Sequence, residues 1–449
     1  MKTTKHKTSQ YNYSIDYKGK KLLFNGVTGA GFCMTNAEMD VLLPLLTDLE
    51  QFQAKYPDDF ERLEKLGYII SAERNELEYL KFKHHEMVFL DKNYRIFVNP
   101  TLDCNFRCWY CYQEHPKGYM SEETMNRLKK HLKLKVENKE ITSLNLSWFG
   151  GEPLLYFYEV VYPLAKFAKE LCEKNNILFI SNITTNGYLM DEEMIKKMNE
   201  IGLHGFQITL DGHRERHNKI RNENGKPSYD KIIENINLLY KHIDNVGITL
   251  RINYDNQTLK NRQAEAILND IEPENRKKIH IDLQHVWQTA KQKNKQSAND
   301  VSNLIATAKN AGYNTISYVG GITTGQFYNC YVSKYYHVEI NYDGKVYKCT
   351  ARDYTEPYEM GEMSEDGTIK WNEDRISKLY GSATFDNPIC RKCAYLPLCW
   401  GPCAQKMVDY KEAGIEWFCM NKNMDRTMSE RIIDTYESSI NKIKQHAVM

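Results

Sequence analysis

The chain has 449 residues, with 60 basic and 59 acidic side chains. That length allows two or three domains, and the charge balance excludes the basic surface of a general nucleic-acid or membrane-surface binder. The Lys-rich start is followed by no secretory apolar run, and the early apolar stretch 41–46 is broken by Pro44. A cytoplasmic protein with no nucleic-acid and no membrane partner is therefore expected. Twelve cysteines are present. Seven stand in two tight groups of three and four, which in a reducing compartment reads as metal or redox ligation rather than disulfide bonding.

In chain order, residues 1–93 come first. Two β runs, 13–16 and 20–25, flank a Lys18-Gly19 turn and predict a hairpin. Thr35 and Glu38 form a capping box before an apolar helical run. A second helix, from about Asp59, stops at Gly67 and a strand follows at 68–70. That order suggests a small winged-helix-like module. Residues 94–290 alternate β runs at 94–99, 144–148, 178–183, 206–210, 248–253 and 279–283 with amphipathic helices, two of which start at Ser121 and Asp191. The expected fold is α/β, a partial (β/α)6 TIM-like barrel with its function at the C-terminal ends of the strands. Residues 291–329 read as a bridging region. Residues 330–449 are cysteine-rich and end in an amphipathic helix over about 423–444.

The first barrel strand runs into Cys104-Asn105-Phe106-Arg107-Cys108-Trp109-Tyr110-Cys111. Three thiolates on one loop can hold three irons of a [4Fe–4S] cube and leave the fourth open to an exogenous ligand. The alternative is a zinc knuckle completed by His115. After the second strand comes Gly150-Gly151-Glu152-Pro153, where glycine allows close backbone approach and Glu152 can accept from an ammonium group. Thr184-Thr185-Asn186-Gly187 follows the third strand. Thr209-Leu210-Asp211-Gly212, then His217, Asn218 and Arg221, follow the fourth.

Four such segments, each at the end of a successive strand, together resemble the radical S-adenosylmethionine (SAM) superfamily. Thr209 stands where the family has Ser, and His213 where it commonly has Pro. The resemblance implies that Tyr110, Gly150, Gly151, Glu152, Thr185, Asn186, Thr209 and Arg221 bind SAM, with Glu152 on its amino group. It also implies an electron donor such as flavodoxin or ferredoxin, and a 5′-deoxyadenosyl radical that abstracts hydrogen from the substrate.

A second array begins with Cys330, Gly344 and Cys349, spaced C-x13-G-x4-C. It continues as Cys390-x2-Cys393-x5-Cys399-x3-Cys403 and closes with Cys419. Two zinc sites are the alternative reading. The pattern resembles the SPASM extension, which implies two auxiliary [4Fe–4S] clusters and so three clusters in all. By that resemblance Cys390, Cys393, Cys399 and Cys419 bind one auxiliary cluster, and Cys330, Cys349 and Cys403 the other. The latter set has three thiolates, and 320–329 and 331–348 supply no fourth. An open iron able to take a substrate thiolate is expected there, the alternative being a non-cysteine ligand or Cys33 or Cys172 brought in by the fold. Otherwise Cys33 and Cys172 read as free thiols.

The N-terminal module resembles the leader-recognition domain of maturases of ribosomally made peptides. The first functional reading is therefore a peptide maturase that installs a thioether or carbon–carbon crosslink in a precursor peptide carrying a leader sequence. The second is an anaerobic sulfatase maturase making formylglycine. Against it, Thr350 follows Cys349 where those enzymes carry a basic Asp, and the nearest Asp is Asp353. The third is a non-enzymatic iron–sulfur or zinc scaffold, for which the SAM motifs would be unnecessary.

Overall fold

Alternation organises the sheet that carries the site. In β1 (Asn93–Val98), Tyr94, Ile96 and Val98 are buried, while Arg95 and Phe97 point to the other face. The next strands are β2 (Ser143–Trp148), β3 (Leu178–Thr185), β4 (Leu203–Leu210), β5 (Gly247–Tyr254) and β6 (Ile279–His285), of which β3 and β5 alternate in the same way while β2, β4 and β6 also bury residues of the other face. The computed structural model describes residues 6–286, 295–313, 315–318, 330–381, 384–419 and 427–446. These fall into two compact units, one of Asp91–Val319 and Tyr335–Lys378, the other of Met1–Leu90, Gly320–Lys334 and Leu379–Met449.

In the first of these units, β1 to β6 lie side by side in chain order, each parallel to the next. Tyr94 stands opposite Leu144 and Val98 opposite Trp148. The six strands occupy the six expected runs, and the sheet continues past them. Within the expected bridging region, β7 (Thr315–Tyr318) pairs parallel to β6, and residues 287–294, 314 and 319–329 lie outside the described residues. On the other edge, β8 (His337–Ile340) runs parallel to β1. Beyond it β9 (Lys345–Tyr347), β10 (Gly361–Met363) and β11 (Ile369–Trp371) add antiparallel. Helices Glu122–Glu137 and Tyr162–Lys174 bring Leu128, Leu132, Ala165 and Ala168 to the apolar face of the sheet. Ser121 caps the first by accepting from Thr124 N at 3.1 Å, and Asp191 caps Glu192–Glu200 through Met194 N at 2.8 Å. No helix among the described residues is long and apolar enough to cross a membrane.

In the second unit a short strand, His6–Thr8, pairs antiparallel with Ile69–Ser71, and the expected hairpin follows it, Asn12–Tyr17 against Lys20–Asn25. Its turn residues Lys18 and Gly19 take φ of 49° and 75°, the left-handed pair that matches strand twist. A third strand, Gly31–Met34, pairs with Lys20–Asn25. Four residues led by Gly carry no local strand signal, so only this pairing fixes them. The Thr35–Glu38 capping box forms in both directions at helix Asn36–Thr47. The second expected helix starts at Pro57, two residues before Asp59, and Pro suits the first helical position because it needs no hydrogen-bond partner there. It ends at Gly67 (φ 82°), with Tyr68 N donating to Leu63 O at 2.9 Å. A short helix, Leu49–Lys55, stands between the two.

Strand Lys20–Asn25 is buried on both faces. Leu23 joins Met39, Leu42, Phe52 and Phe60 of the helices. Leu22 and Phe24 meet Leu398 and Ile432, the latter on the C-terminal helix Met428–His446. Each such side chain, fully buried, contributes about 1.5–3 kcal/mol. The N-terminal module and the end of the chain thus share one core.

Candidate active site

The three-cysteine loop begins six residues past the end of β1, among the C-terminal ends of the parallel strands. Asp103 fixes its start by accepting from Cys104 N at 2.8 Å and from Lys117 Nζ at 2.7 Å. The Gly-Gly-Glu segment lies directly against it: Gly151 N donates to Thr101 O at 3.2 Å and Glu152 N to Asp103 O at 2.8 Å. A Cβ on Gly151 would stand 2.1 Å from Asp103 O, and one on Gly150 (φ 100°) 2.4 Å from Thr101 O. These glycines let the backbone approach the cysteine loop itself, a requirement the motif alone did not reveal.

Glu152 is fully buried. Oε1 accepts from Leu154 N at 3.0 Å and Thr185 Oγ1 at 2.7 Å, and Oε2 accepts from Asn186 N at 2.7 Å. Burial pushes its carboxyl up to about 7, with these three donors and then Arg221 pulling the other way. Its oxygens offer about four acceptor sites, so three donors leave one for an ammonium group. Thr185 and Asn186 therefore position Glu152. Asn186 also donates through Nδ2 to Asn105 Oδ1 at 2.7 Å inside the cysteine loop. Thr209 is buried on β4, opposite Arg251 of β5.

Tyr110 and Arg221 converge on a residue the sequence reading quoted without assigning a role. The Tyr110 hydroxyl donates to Asp211 Oδ2. Arg221 donates to the same oxygen through Nε at 2.6 Å and to the Tyr110 oxygen through Nη2 at 2.6 Å. Asn253 of β5 donates to that phenol at 3.1 Å. Behind them His217 is held neutral, burial pushing it down to about 3, with Arg221 adding to the effect. Its Nδ1 accepts from Asp211 N at 3.2 Å, so Nε2 donates to Ser228 Oγ at 3.0 Å, which donates on to Arg221 O at 2.7 Å. Asp211, Asn253 and Asn105 are site residues that sequence reasoning missed. Asp211 and Asn105 had a signal, their places inside the Thr-Leu-Asp-Gly segment and the cysteine loop; Asn253 had none.

The donor set suits an anionic iron–sulfur cluster. Burial pushes Cys104 up to about 12 and raises Cys108. In Cys111 burial is outweighed, chiefly by a hydrogen bond with His115, and the thiol is lowered. The Arg221 guanidinium lowers all three. Among the described residues, no group of three or more His, Cys, Asp or Glu side chains is gathered tightly enough to hold one metal ion. A cavity of about 400 Å³ lies elsewhere on the sheet interior, lined by Phe97, Asn182, Gln207, Thr249 and Lys278 among others. It reaches the N-terminal starts of the strands and is not the cysteine site.

Two family models match the chain, the Radical SAM superfamily over residues 98–263 and the SPASM iron–sulfur cluster-binding domain over residues 330–394. The chain carries a radical SAM domain and a SPASM domain. A serine-type anaerobic sulfatase-maturating enzyme of Bacteroides thetaiotaomicron is 34% identical over 153 residues, 31% of this chain and 34% of that protein. The chain thus spans about a third of the length of that curated relative. Among solved structures, native anSMEcpe with bound AdoMet and Cp18Cys peptide aligns at TM-score 0.51 and 17% identity, covering 79% of this chain and 98% of that one. Streptococcus suis SuiB bound to S-adenosylmethionine aligns at TM-score 0.51 and 16% identity, covering 94% and 100%. Both likenesses are of fold.

In the SPASM portion, Cys390, Cys393, Cys399 and Cys419 belong to one unit, and Cys390 feels the other three. Burial pushes Cys390 up to about 12, and the three other thiols add to it in the order Cys399, Cys393, Cys419. Cys330 precedes the turn Tyr331–Ser333, which packs on helix Ala404–Glu412, and Cys403 caps that helix by accepting from Lys406 N at 3.4 Å. Cys349 belongs to the other unit, where Tyr112 lies within reach of the fields of both Cys111 and Cys349. Cys172 is fully buried in helix Tyr162–Lys174, and Cys33 lies 3.4 Å from the Tyr436 hydroxyl.

Proposed function

We propose that this chain is a peptide maturase that binds the leader of a precursor peptide on its N-terminal module and installs a thioether or carbon–carbon crosslink in the core of that peptide. The observation that carries the peptide substrate is the three-stranded sheet of that module. Its edge strands, Asn12–Tyr17 and Gly31–Met34, have no further strand partner among the described residues, and such an edge can accept an extended peptide as an added strand. A solved structure of like fold, anSMEcpe, holds a bound peptide.

Cys104, Cys108 and Cys111 hold the SAM-binding cluster in this reading. Cys390, Cys393, Cys399 and Cys419 hold one auxiliary cluster, and Cys330, Cys349 and Cys403 are the ligands of a third, whose open iron would take a peptide thiolate. With SAM bound and an electron supplied by a flavodoxin or ferredoxin of the cytoplasm, a cluster held by Cys104, Cys108 and Cys111 would pass that electron to SAM, whose C5′–S bond would break to give methionine and a 5′-deoxyadenosyl radical. The residues of the chain do the positioning. Glu152 offers its remaining acceptor site to the SAM ammonium, Tyr110 and Asp211 keep Arg221 charged and fixed beside the cysteine loop, and Asn186 ties Glu152 to that loop.

The test is anaerobic incubation of the reconstituted protein with SAM, reductant and a precursor peptide. 5′-Deoxyadenosine and a peptide lighter by two hydrogens per crosslink are expected. A SAM-cleaving protein that leaves every leader-bearing peptide unchanged would refute the reading.

One observation favours the second reading, formylglycine formation. Asp353 accepts from Glu114 N at 3.4 Å, so a carboxylate does reach the segment just past the cysteine loop. Conversion of a sulfatase-derived Cys or Ser peptide to an aldehyde, lost in Asp353→Asn, would establish it.

A further inference from the structure

The four-cysteine set does not stand on its own loop alone. Residues 390–399 form a tight segment in which Cys393 N donates to Cys390 O at 3.0 Å and Cys399 N to Tyr395 O at 3.0 Å. One side of that segment is covered by the start of the chain. Tyr11 is buried with Leu80, Phe385, Cys390, Leu396 and Trp400 in one cluster. The Tyr13 ring stacks on Tyr395 with centroids 5.4 Å apart and planes 13° from parallel. Its hydroxyl donates to Ala394 O at 2.5 Å, one residue past Cys393. A Cβ on Gly26 would meet the Tyr13 ring at 2.8 Å and Pro397 at 3.1 Å, so the hairpin and this segment approach as closely as glycine permits.

We infer that the N-terminal hairpin forms a wall of the site made by Cys390, Cys393, Cys399 and Cys419, and that Tyr13 is a positioning residue that fixes Cys393 through the Ala394 carbonyl. The inference rests on reading those four cysteines as cluster ligands. A ligand orients well only when the backbone that carries it is itself held, and groups one step removed from the metal govern affinity for that reason. No other described hydrogen bond from a side chain restrains the Ala394 carbonyl. The module proposed to hold the leader is therefore also part of the cluster site.

The test uses the full-length reconstituted protein and follows anaerobic iron release to a ferrous chelator, with the EPR spectrum of the reduced state as a second readout. Cys393→Ala marks the iron and the signal that belong to this set. Tyr13→Phe keeps the stacked ring and removes only the hydroxyl. It should release that fraction roughly tenfold faster than the parent and displace its EPR signal. Tyr17→Phe is the same chemical change on the same strand, but Tyr17 donates to Glu437 Oε1 at 2.9 Å and not to the cluster segment, so it should match the parent in both readouts. Equal release and an unchanged signal in a Tyr13→Phe protein that melts like the parent would overturn the inference. A Cys393→Ala protein with its full iron content would instead remove the cluster from this set, and the reading beneath the inference with it.

Discussion

Replacing Glu152 with Gln should stabilise the SAM-free protein relative to the parent at high pH and destabilise it at low pH. Burial holds the Glu152 carboxyl at about 7 against an ordinary 4.5. The folded value is the higher one, so the stability that goes with the neutral acid is fully present below about 4.5 and is lost as pH rises through about 7. At 1.36 kcal/mol per unit, ionised Glu152 costs the folded state about 3 kcal/mol by pH 8. Glutamine never ionises and escapes that cost. It also turns an amide NH2 toward Asn186 N, which Oε2 now accepts at 2.7 Å, and a lost buried hydrogen bond costs about 1–3 kcal/mol at every pH. The variant-minus-parent difference should therefore move by about 2–3 kcal/mol in favour of Gln between pH 5 and pH 8. Urea denaturation at the two pH values reads this directly, and calorimetry should show weaker SAM binding by the variant at pH 8. A difference flat across that range would mean that Glu152 is not a buried acid, and would remove the argument that the fold spends stability to hold a carboxylate here.

Changing Cys104, Cys108 and Cys111 together to Ala should remove about four of about twelve irons and abolish SAM cleavage, as measured by iron assay and 5′-deoxyadenosine yield. Gly151→Ala places a Cβ where Asp103 O stands at 2.1 Å, so it should push the cysteine loop aside and lower iron at the first cluster while leaving the auxiliary iron in place. Thr35→Ala removes the cap on helix Asn36–Thr47 and should cost about 1 kcal/mol in denaturant titration without changing SAM cleavage.

Where information was local, the sequence carried it. Short β runs between amphipathic helices marked all six of the first strands, and each buries a face against those helices. The Thr35, Ser121 and Asp191 caps were legible because a cap needs only its own first turn. What escaped depends on contacts between distant segments. Strand Gly31–Met34 has no pattern apart from its pairing with Lys20–Asn25. Strands Thr315–Tyr318 and His337–Ile340 lengthen the sheet only because β6 and β1 offer them open edges. The four segments visible along the chain also differ from the two units. Residues 335–378, inside the cysteine-rich zone, belong with the sheet, and the chain's end shares a core with its beginning.

The same distinction explains which site residues were legible. Cysteine spacing is a property of one loop, and it was readable at once. The charge that makes such a loop usable is not. Thiols bind iron as thiolates, yet burial raises Cys104 and Cys108, so the loop resists the ionisation that its role requires. Arg221, more than a hundred residues away in sequence, contributes to the offset: its field lowers all three thiols, behind the Phe106 backbone N–H at Cys104 and His115 at Cys111. A buried guanidinium must itself be paired, and Asp211 supplies that partner at 2.6 Å. His217, held neutral beside Arg221, adds no second positive charge to be neutralised. The Thr-Leu-Asp-Gly stretch and its trailing His and Arg therefore do more than surround a cofactor. They place one compensated positive charge beside the three thiols of the cysteine loop.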